Sequence, residues 1–388
     1  MKKEMVFLLG IIFSLGIVFA GTTVTDNLVN TSGNIYASSF FVNSTRFVFL
    51  PNQTNFTGTF YFGNGSADNL SNSAGVDAGD FNTYVGMDVA SNSSNAKKNT
   101  ALGFGALYNV TDGWANTAVG YEALYSGSGN FSISGSGGDF YANVAVGSAA
   151  LRACSGGSYN TAVGVDALLS NTEGNNNVAV GTHALNGNVD GDYNVAMGRG
   201  AAYSNVDGNG NVALGNNANR GSTSGDYNIA IGTNALYQDN SGNNNVAIGR
   251  NCLLSVTTGT SNVALGYNAG DGITLGNYNV FVGNLAGDLL TSGSRNIFIG
   301  YNTTYSDPTI DDVLNIGNTI FGNLVTRSIG IGDESPVNLF TVNGSGMMQL
   351  KANITVMVCN STNAGSIYYD GDLSTHRGCD GTNWNNLY

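Results

Sequence analysis

The stretch Asn177-Val-Ala-Val-Gly-Thr-His-Ala-Leu185 decides the fold of this chain, because variants of it return at a fixed interval. Gly181 in this stretch belongs to a series of glycines that stand 17 residues apart. A single step of 27 residues, from Gly120 to Gly147, marks a ten-residue insertion within residues 126–141. A fixed period of this length is the signature of a repeat architecture. Between Gly86 and Gly317, the series consists of Gly103, Gly120, Gly147, Gly164, Gly181, Gly198, Gly215, Gly232, Gly249, Gly266, Gly283 and Gly300.

Each repeat can be numbered from this glycine, which is position 0. Position −1 carries Val, Leu, Ile or Met, position −2 carries Ala from Ala101 to Ala264, and position −4 carries Asn. Ala is usual at +3, Leu is frequent at +4, and a second Gly recurs at +10. This pattern predicts two short strands and two turns in each unit. We therefore predict an all-β fold, a parallel β-solenoid whose coils stack about 4.8 Å apart.

The two faces of the repeated strand have different side chains. Positions −1 and −3 share one face, and positions −2 and −4 share the other. We expect the bulky aliphatic residues at −1 to lie inside the coil and the alanines at −2 to face outwards. An outward column of alanines would let another chain approach closely, which favours a homo-oligomer. The alternative is a monomeric solenoid in which Ala at −2 is a small, tolerated surface residue.

The segment from Asn177 to Leu185 resembles the head repeat of trimeric autotransporter adhesins of the YadA type and the repeats of related phage and viral tail fibres. The resemblance covers about residues 80–318. It implies a left-handed parallel β-roll in which three identical chains associate. The unit here is longer than the usual head repeat of those adhesins. Nothing in the chain resembles their coiled-coil stalk or their outer-membrane strands.

Composition and charge exclude several other classes of protein. Of 388 residues, 56 are Gly and only 3 are Pro, and charged residues make up 10%. The glycines follow no Gly-X-Y period, so a collagen is excluded, and the low charge argues against a coiled coil. The net charge is −13 and basic residues never cluster beyond pairs, so nucleic acid is not expected as a partner.

The ends of the chain differ from the repeats. Residues 1–20 have the pattern of a secretory signal peptide, with Lys2 and Lys3 before the apolar run 6–19. A retained N-terminal anchor is the alternative reading. Secretion or exposure at the cell surface follows from either. Residues 21–79 are predicted to be a β-rich N-terminal segment, 80–318 the β-roll repeat domain, and 319–388 a connector with a disulfide-capped C-terminal β region.

The cysteines and histidines predict little chemistry. A hairpin near the C-terminus could bring Cys359 and Cys379 together as a disulfide. Cys154 and Cys252 lie about six coils apart, too far for a disulfide within one chain. His183 occupies a variable position at +2, and His376 lies almost 200 residues away. The sequence therefore predicts no catalytic residue, no cofactor and no metal site.

Sequons of the form Asn-x-Ser/Thr are concentrated in the flanks of the repeat region, and none falls between residues 131 and 301. Glycosylation of the flanks is a hypothesis, although a chain rich in Asn, Ser and Thr also forms sequons by chance. The candidate residues are Asn30, Asn43, Asn52, Asn55, Asn64, Asn69, Asn92, Asn109, Asn130, Asn302, Asn343, Asn353 and Asn360.

Together these observations predict a non-catalytic, fibrous adhesin that is secreted or held at the cell surface. Its partners would be two further copies of itself and an unknown surface ligand, either a glycan or a cell-surface protein. Two alternatives remain open. The chain could be the receptor-binding protein of a viral or phage tail fibre, although a signal peptide argues against that reading. It could also be a structural surface spacer without a ligand.

Overall fold

The computed structural model describes residues 82–91, 96–110, 113–125, 141–239 and 241–336. It also describes the backbone of 40–42, 45–49, 60–63, 340–342, 367–370, 375–379 and 384–386, and Thr382. The chain divides into two compact units, residues 1–341 and residues 342–388. The described residues form strands, bridges, turns and bends and contain no helix, which confirms the predicted all-β class.

The first unit is built on one long parallel ladder of short strands, one strand for each repeat. Its fourteen strands are β4 (Thr83–Val85), β5 (Thr100–Leu102), β6 (Thr117–Val119), β7 (Val144–Val146), β8 (Thr161–Val163), β9 (Val178–Val180), β10 (Val195–Met197), β11 (Val212–Leu214), β12 (Ile229–Ile231), β13 (Val246–Ile248), β14 (Val263–Leu265), β15 (Val280–Val282), β16 (Ile297–Ile299) and β17 (Val313–Ile316). At about 4.8 Å per coil the ladder is about 62 Å long. The predicted parallel β-solenoid is confirmed.

Equivalent residues of successive repeats pair directly across the ladder. Ala179 lies opposite Ala196, for example, and Ala196 opposite Ala213. The register survives the ten-residue insertion, because Ala118 lies opposite Ala145 across the 27-residue step. Each position of the repeat therefore forms a column that runs along the solenoid.

The prediction of which strand face lies inside was wrong. The alanines at −2 are buried within the chain, whereas the aliphatic residues at −1 face outwards: Leu102 is 48% exposed and Met197 47%. The interior of the coil is narrow, and the methyl group of Ala fits between the side chains that enter from the opposite wall. The alanine column is therefore part of the core of one chain and cannot be a seam between chains.

Near the C-terminal end of the ladder, the residue types at two interior positions change from one coil to the next, which shows how narrow the interior of the solenoid is. Position −2 changes from Ala to Phe at Phe281, and this large side chain is fully buried. Position +4 changes from Leu to Gly at Gly270 and Gly287, where a Cβ atom would lie 2.6 Å and 2.3 Å from the Phe281 ring. The volume that the Phe281 ring adds at position −2 is thus removed at position +4 on the opposite side of the interior, as close packing requires.

The second predicted strand of each repeat is also absent from the described coils, which have one strand each. The Ala-Leu pair at +3 and +4 is buried but forms a turn, because positions +2 and +4 have left-handed backbone angles. His183 has a φ of 58° and Leu185 a φ of 49°. These corners let two consecutive side chains, Ala184 and Leu185, both point into the core.

Buried asparagines at −4 form a ladder inside the solenoid. The backbone N–H of Asn194 donates to Oδ1 of Asn177 at 2.8 Å, and Nδ2 of Asn177 donates to the carbonyl of Gly191 at 2.7 Å. The same pattern recurs from Asn82 to Asn296. Each Asn links its own coil to the next and joins the start of its coil to the end, so the buried backbone groups find partners.

Antiparallel strands flank the parallel ladder at both ends. At the N-terminal end, β1 (Phe40–Val42), β2 (Thr45–Phe49) and β3 (Phe60–Gly63) form a meander, and β3 pairs parallel with β4. At the C-terminal end, β17 continues into antiparallel β18 (Ile320–Asn323) and β19 (Ser328–Ile331), followed by β20 (Phe340–Val342). Flanking strands of this kind occupy sheet edges that would otherwise be unpaired.

The second unit contains a separate antiparallel sheet of three strands. They are β21 (Ile367–Asp370), β22 (Thr375–Cys379) and β23 (Trp384–Asn386), with β22 in the centre. Cys379 ends the central strand, and Cys359 lies outside the described residues. The predicted disulfide therefore stays a prediction.

Candidate binding surface

Two outward columns of aliphatic side chains form a continuous surface on the strand ladder. They are the residues at −1 and −3 of the strands β4–β16, and we refer to them as the aliphatic face, although four residues at −3 are threonines: Thr83, Thr100, Thr117 and Thr161. Residues at −3, such as Val195, are half-buried, and several residues at −1 are more exposed. A solenoid of one chain leaves this face uncovered along its whole length. An apolar surface of this extent is typical of an association surface.

Exposed tyrosines form a second outward feature, at position −5. Tyr159, Tyr193, Tyr227 and Tyr278 are 57–66% exposed, which places them among the most exposed large side chains of the described residues. The first three stand 34 residues apart, or two coils, so their separation along the solenoid is about 9.6 Å. We call these four residues the tyrosine column.

Packing explains why the coil before Tyr227 carries no tyrosine at −5. The ring of Tyr227 lies over Gly210, the residue at −5 in the preceding coil, where a Cβ atom would be 2.7 Å from the ring. A ring that lies along the preceding coil in this way leaves no room for a second tyrosine there. Tyr159, Tyr193 and Tyr227 are spaced by two coils, and Tyr278 follows Tyr227 after three.

The backbone beneath the tyrosine column favours other residues. Tyr193 has a φ of 58° and Tyr227 a φ of 56°, in the left-handed region that Asn and Gly adopt at lower cost. Asn176 and Asn244 occupy the same position in neighbouring coils with a φ of 57°. Folding alone therefore does not require tyrosine at −5.

Position −6, next to the tyrosines, carries a second ladder of hydrogen bonds. The backbone N–H of Asn175 donates to Oδ1 of Asp192 at 2.6 Å, and that of Asn209 donates to Oδ1 of Asp226 at 2.7 Å. This outer ladder runs in the opposite direction to the interior asparagine ladder, since each N–H here reaches the following coil. Asp192 and Asp226 precede Tyr193 and Tyr227, so carboxylate and aromatic ring recur together.

A third outward column, at +5, contains tyrosine and arginine. The rings of Tyr108 and Tyr125 stack with centroids 4.9 Å apart. The guanidinium of Arg220 lies 5.0 Å from the ring centroid of Tyr203 and 5.8 Å from that of Tyr237. These stacks and cation–π contacts join neighbouring coils and serve the fold.

Among the described residues, the pair of His183 and Asp166 is the strongest candidate for chemistry. Both residues occupy position +2 of adjacent coils, and Nε2 of His183 lies 3.2 Å from Oδ2 of Asp166. The imidazole also meets the ring of Tyr203 edge-on. Within the described residues, no group of three or more His, Cys, Asp or Glu is arranged to hold a metal ion.

The structure places some of the predicted residues and leaves others undescribed. The glycines from Gly103 to Gly300 have φ between 130° and 140°, which only glycine adopts readily. Cys154 and Cys252 are both buried and free, in agreement with the prediction that they are too far apart to form a disulfide with each other. Burial raises the pKa of the Cys154 thiol to about 12, so it is unreactive.

Two of the thirteen candidate glycosylation sites fall in the described residues. Asn109 is half-buried and Asn302 is exposed. The other eleven sites lie outside the described residues, as does the predicted signal peptide. His376 lies in β22.

Comparison with protein-family models, with curated proteins and with solved structures finds no match. The part of the chain that the structure describes contains no helix long and apolar enough to cross a membrane. The aliphatic face and the tyrosine column are therefore interpreted from their own geometry. Sequence reasoning missed the tyrosine column, although a search at twice the repeat length, 34 residues, would have found Tyr159, Tyr193 and Tyr227.

Proposed function

We propose that this protein is a non-catalytic fibrous adhesin, secreted or held at the cell surface, that acts as a homotrimer and binds an extended surface glycan. The observation that carries the proposal is the tyrosine column: exposed aromatic rings on a parallel ladder, the first three of them two coils apart. The aliphatic face supports self-association. The resemblance to YadA-type head repeats and fibre repeats agrees with both parts of the proposal.

Association of three copies would cover the aliphatic face. A strip about 58 Å long and about 10 Å wide has an area of roughly 600 Å², which a trimer would divide between two neighbours. Stable interfaces bury about 800 Å² per partner, so the aliphatic face would be the apolar centre of a larger interface. Side chains such as Met197 and Ile248 are 47% and 40% exposed in the single chain and would be desolvated. This seam replaces the alanine column as the expected contact between chains.

An extended glycan suits the tyrosine column in two respects. Aromatic rings offer flat apolar faces on which sugar rings can stack, and the tyrosine hydroxyl can form hydrogen bonds at the wet edge. The spacing of two coils, about 9.6 Å, is also close to the disaccharide repeat of an extended β-linked polysaccharide. Successive tyrosines would then meet equivalent faces of alternate sugars.

Each stacking contact would be weak, and affinity would come from repetition. One chain carries four residues of the tyrosine column, and a trimer would carry twelve. Linked weak sites reinforce each other because the second contact is intramolecular once the first has formed. Binding strength should therefore increase steeply with the length of the glycan.

The test compares the chain from residue 21 onwards with a variant that carries Tyr193→Asn and Tyr227→Asn. Both substitutions introduce the residue that position −5 already accepts at Asn176 and Asn244. A glycan array, followed by titration with oligosaccharides of increasing length, measures binding. Light scattering coupled to gel filtration measures mass. We expect three times the chain mass for both proteins and loss of glycan binding in the variant.

A matched control is Tyr301→Asn, which removes an equally exposed tyrosine outside the column. It should leave glycan binding unchanged. A monomeric wild-type protein would contradict the trimer. A variant that loses its trimeric mass would show that the tyrosines belong to the seam between chains and not to a ligand site. No binding to any glycan or cell would favour the purely structural spacer.

A further inference from the structure

A second interior column, at position +7, changes its chemistry along the solenoid. Asn171 and Asn188 are satisfied: Nδ2 of Asn188 donates to Oδ1 of Asn171 at 2.7 Å and to the carbonyl of Gly191 at 3.0 Å. Further along, the column becomes apolar with Val256, Ile273 and Leu290. Between these two regions lie Asn205, Ser222 and Asp239, in three successive coils.

This middle region contains buried polar atoms that have no hydrogen-bond partner among the described residues. They are Oδ1 of Asn205, Oγ of Ser222 and Oδ2 of Asp239, together with both amide atoms of Asn219 at position +4. All four residues are fully buried, with 0% of their surface exposed. Buried polar groups almost always have partners, so several unpaired atoms within three coils require an explanation. We call these four residues the interior polar cluster.

The side chains around the interior polar cluster also differ from those of most other coils. Position +4 is Leu in most coils but Ala202 and Asn219 in these two. Where Gly replaces Leu further along, Phe281 supplies the missing volume from position −2. Here position −2 remains alanine, at Ala196 and Ala213. Replacing Leu by Ala removes three carbon atoms, which leaves room of the order of the roughly 30 Å³ that one water molecule occupies.

Oxygen dominates the interior polar cluster. Four of its five unpaired atoms are oxygens, and one belongs to a carboxylate. Among the described residues, the Asp239 carboxylate has a single hydrogen bond, from the backbone N–H of Gly242 to Oδ1 at 2.7 Å. None of the ion pairs among the described residues involves it. A buried, uncompensated carboxylate is strongly disfavoured in an apolar interior.

We propose that the interior polar cluster binds one dehydrated hard cation of the size of Na⁺ or Ca²⁺. The ligands would be the unpaired oxygens of Asn219 and Ser222 in one coil and of Asp239 in the next. Oxygen-only donor sets with a carboxylate select hard cations, at distances of about 2.3–2.6 Å. Residues of successive coils are about 4.8 Å apart. An ion midway between two stacked oxygens would therefore lie about 2.4 Å from each.

The competing explanation is a protonated Asp239 with a buried water molecule. Burial raises the pKa of Asp239 to about 7, so the two explanations separate above neutral pH, where the carboxylate must ionise or find a cation. Because the cluster is sealed inside the ladder, an ion would enter during folding. The experiment therefore loads the protein by refolding.

The full chain is unfolded, freed of metals and refolded at pH 8 and constant ionic strength. The medium contains choline chloride alone, or with added Na⁺, K⁺ or Ca²⁺. Thermal unfolding and elemental analysis are then measured for the wild type. We expect Na⁺ or Ca²⁺ to raise the midpoint of unfolding by several degrees, with one ion retained per chain. The cation that gives the larger increase in the midpoint of unfolding is the one that the site prefers.

Two variants introduce residues that other coils use at the same positions, so both should fold. Asp239→Asn places at +7 the residue found at Asn171 and Asn188, and the double variant Asn219→Leu and Ser222→Asn places Leu at +4 and Asn at +7. Both should lose the cation-dependent shift and the retained ion. The matched control, Asp207→Asn, removes an exposed carboxylate two coils from Asp239 and should keep both the cation-dependent shift and the retained ion.

Either of two results would overturn the proposal. The first is a wild-type midpoint that does not respond to any of the three cations at pH 8. The second is an equal response in Asp239→Asn, which would show that the cation acts on the charge of the surface.

Discussion

At the scale of single residues, the glycine at position 0 is the most constrained position of the repeat. Gly181 has a φ of 133°, and a Cβ atom there would lie 2.6 Å from the carbonyl oxygen of Gly198 in the next coil. Backbone conformation and close approach both exclude a side chain. The stacked glycines therefore explain the strictness of the 17-residue period.

Gly181→Ala should destabilise the solenoid by about 2–4 kcal/mol, because it combines a glycine-only conformation with a steric clash. Gly156→Ala is the matched control, since the nearest atoms to a Cβ there are 3.9 Å away. Urea denaturation followed by circular dichroism measures both variants. Equal stability of the two would contradict the account of the glycine column.

Asp239 should make stability depend on pH when no binding cation is present. Its pKa is raised from 3.8 to about 7 by burial, so the folded state holds the proton to higher pH than the unfolded state. The contribution of Asp239 to the free energy of unfolding is therefore complete below about pH 4 and is lost as the pH rises through about 7. At about 1.4 kcal/mol per pKa unit, the free energy of unfolding should fall by roughly 4 kcal/mol over this pH range.

The measurement is urea denaturation between pH 4 and pH 8 in choline buffer, for the wild type and for Asp239→Asn. Asp271 and Asp288 also have raised pKa values, chiefly through burial, and they affect both proteins alike. The difference between the two proteins should shrink towards pH 4 and grow towards pH 8 in favour of the variant. A difference that is independent of pH would contradict this assignment.

At the scale of structural elements, each coil is too short to be stable alone. Its strand has only three residues, and its hydrogen bonds reach the neighbouring coils on both sides. The interior asparagine ladder and the outer ladder at −6 run in opposite directions, so each coil is tied to both neighbours by side chains as well. Stability of the ladder is therefore a property of contacts between coils.

Asn211→Ala should cost about 2–4 kcal/mol, because it leaves buried backbone groups without partners. Oδ1 of Asn211 accepts from the N–H of Asn228 at 2.9 Å, and Nδ2 donates to the carbonyl of Gly225 at 2.7 Å. The exposed Asn216→Ala in the same coil is the control and should change stability by less than about 0.5 kcal/mol. A small effect of Asn211→Ala would mean that water replaces the ladder.

At the scale of the whole molecule, the aliphatic face is the feature that a single chain leaves unexplained. In the proposed trimer, three copies of each residue at −1 would face a common seam. A charge at one such position is then repeated three times in a dry interface, where like charges repel strongly. The single chain would tolerate the same charge, because the position is exposed there.

Met197→Glu should therefore reduce the mass from three chains to one and leave the circular dichroism of the β-solenoid unchanged. Val206→Glu is the control, since Val206 is 40% exposed but lies at position +8, outside the aliphatic face. Light scattering coupled to gel filtration measures both variants. Dissociation by Val206→Glu, or a trimer that survives Met197→Glu, would place the seam elsewhere.

The sequence by itself determined the all-β class, the parallel stacking and the register, because a strict 17-residue period places equivalent residues in columns whatever their side chains. The glycine column at position 0 follows from the same argument. Alternation along a strand also places the aliphatic residues at −1 and the alanines at −2 on opposite faces, but it does not determine which face lies inside the coil. That choice depends on the width of the coil interior, which the left-handed corners at His183 and Leu185 set.

Only the tertiary structure decided that the alanines pack against the leucines at +4 inside one chain. It also revealed the spacing of the tyrosine column and the unpaired oxygens around Asp239. Each of these depends on contacts between coils, such as the ring of Tyr227 over Gly210. Periodicity is a property of the chain, whereas the inside and outside of a coil arise only when the chain closes around its core.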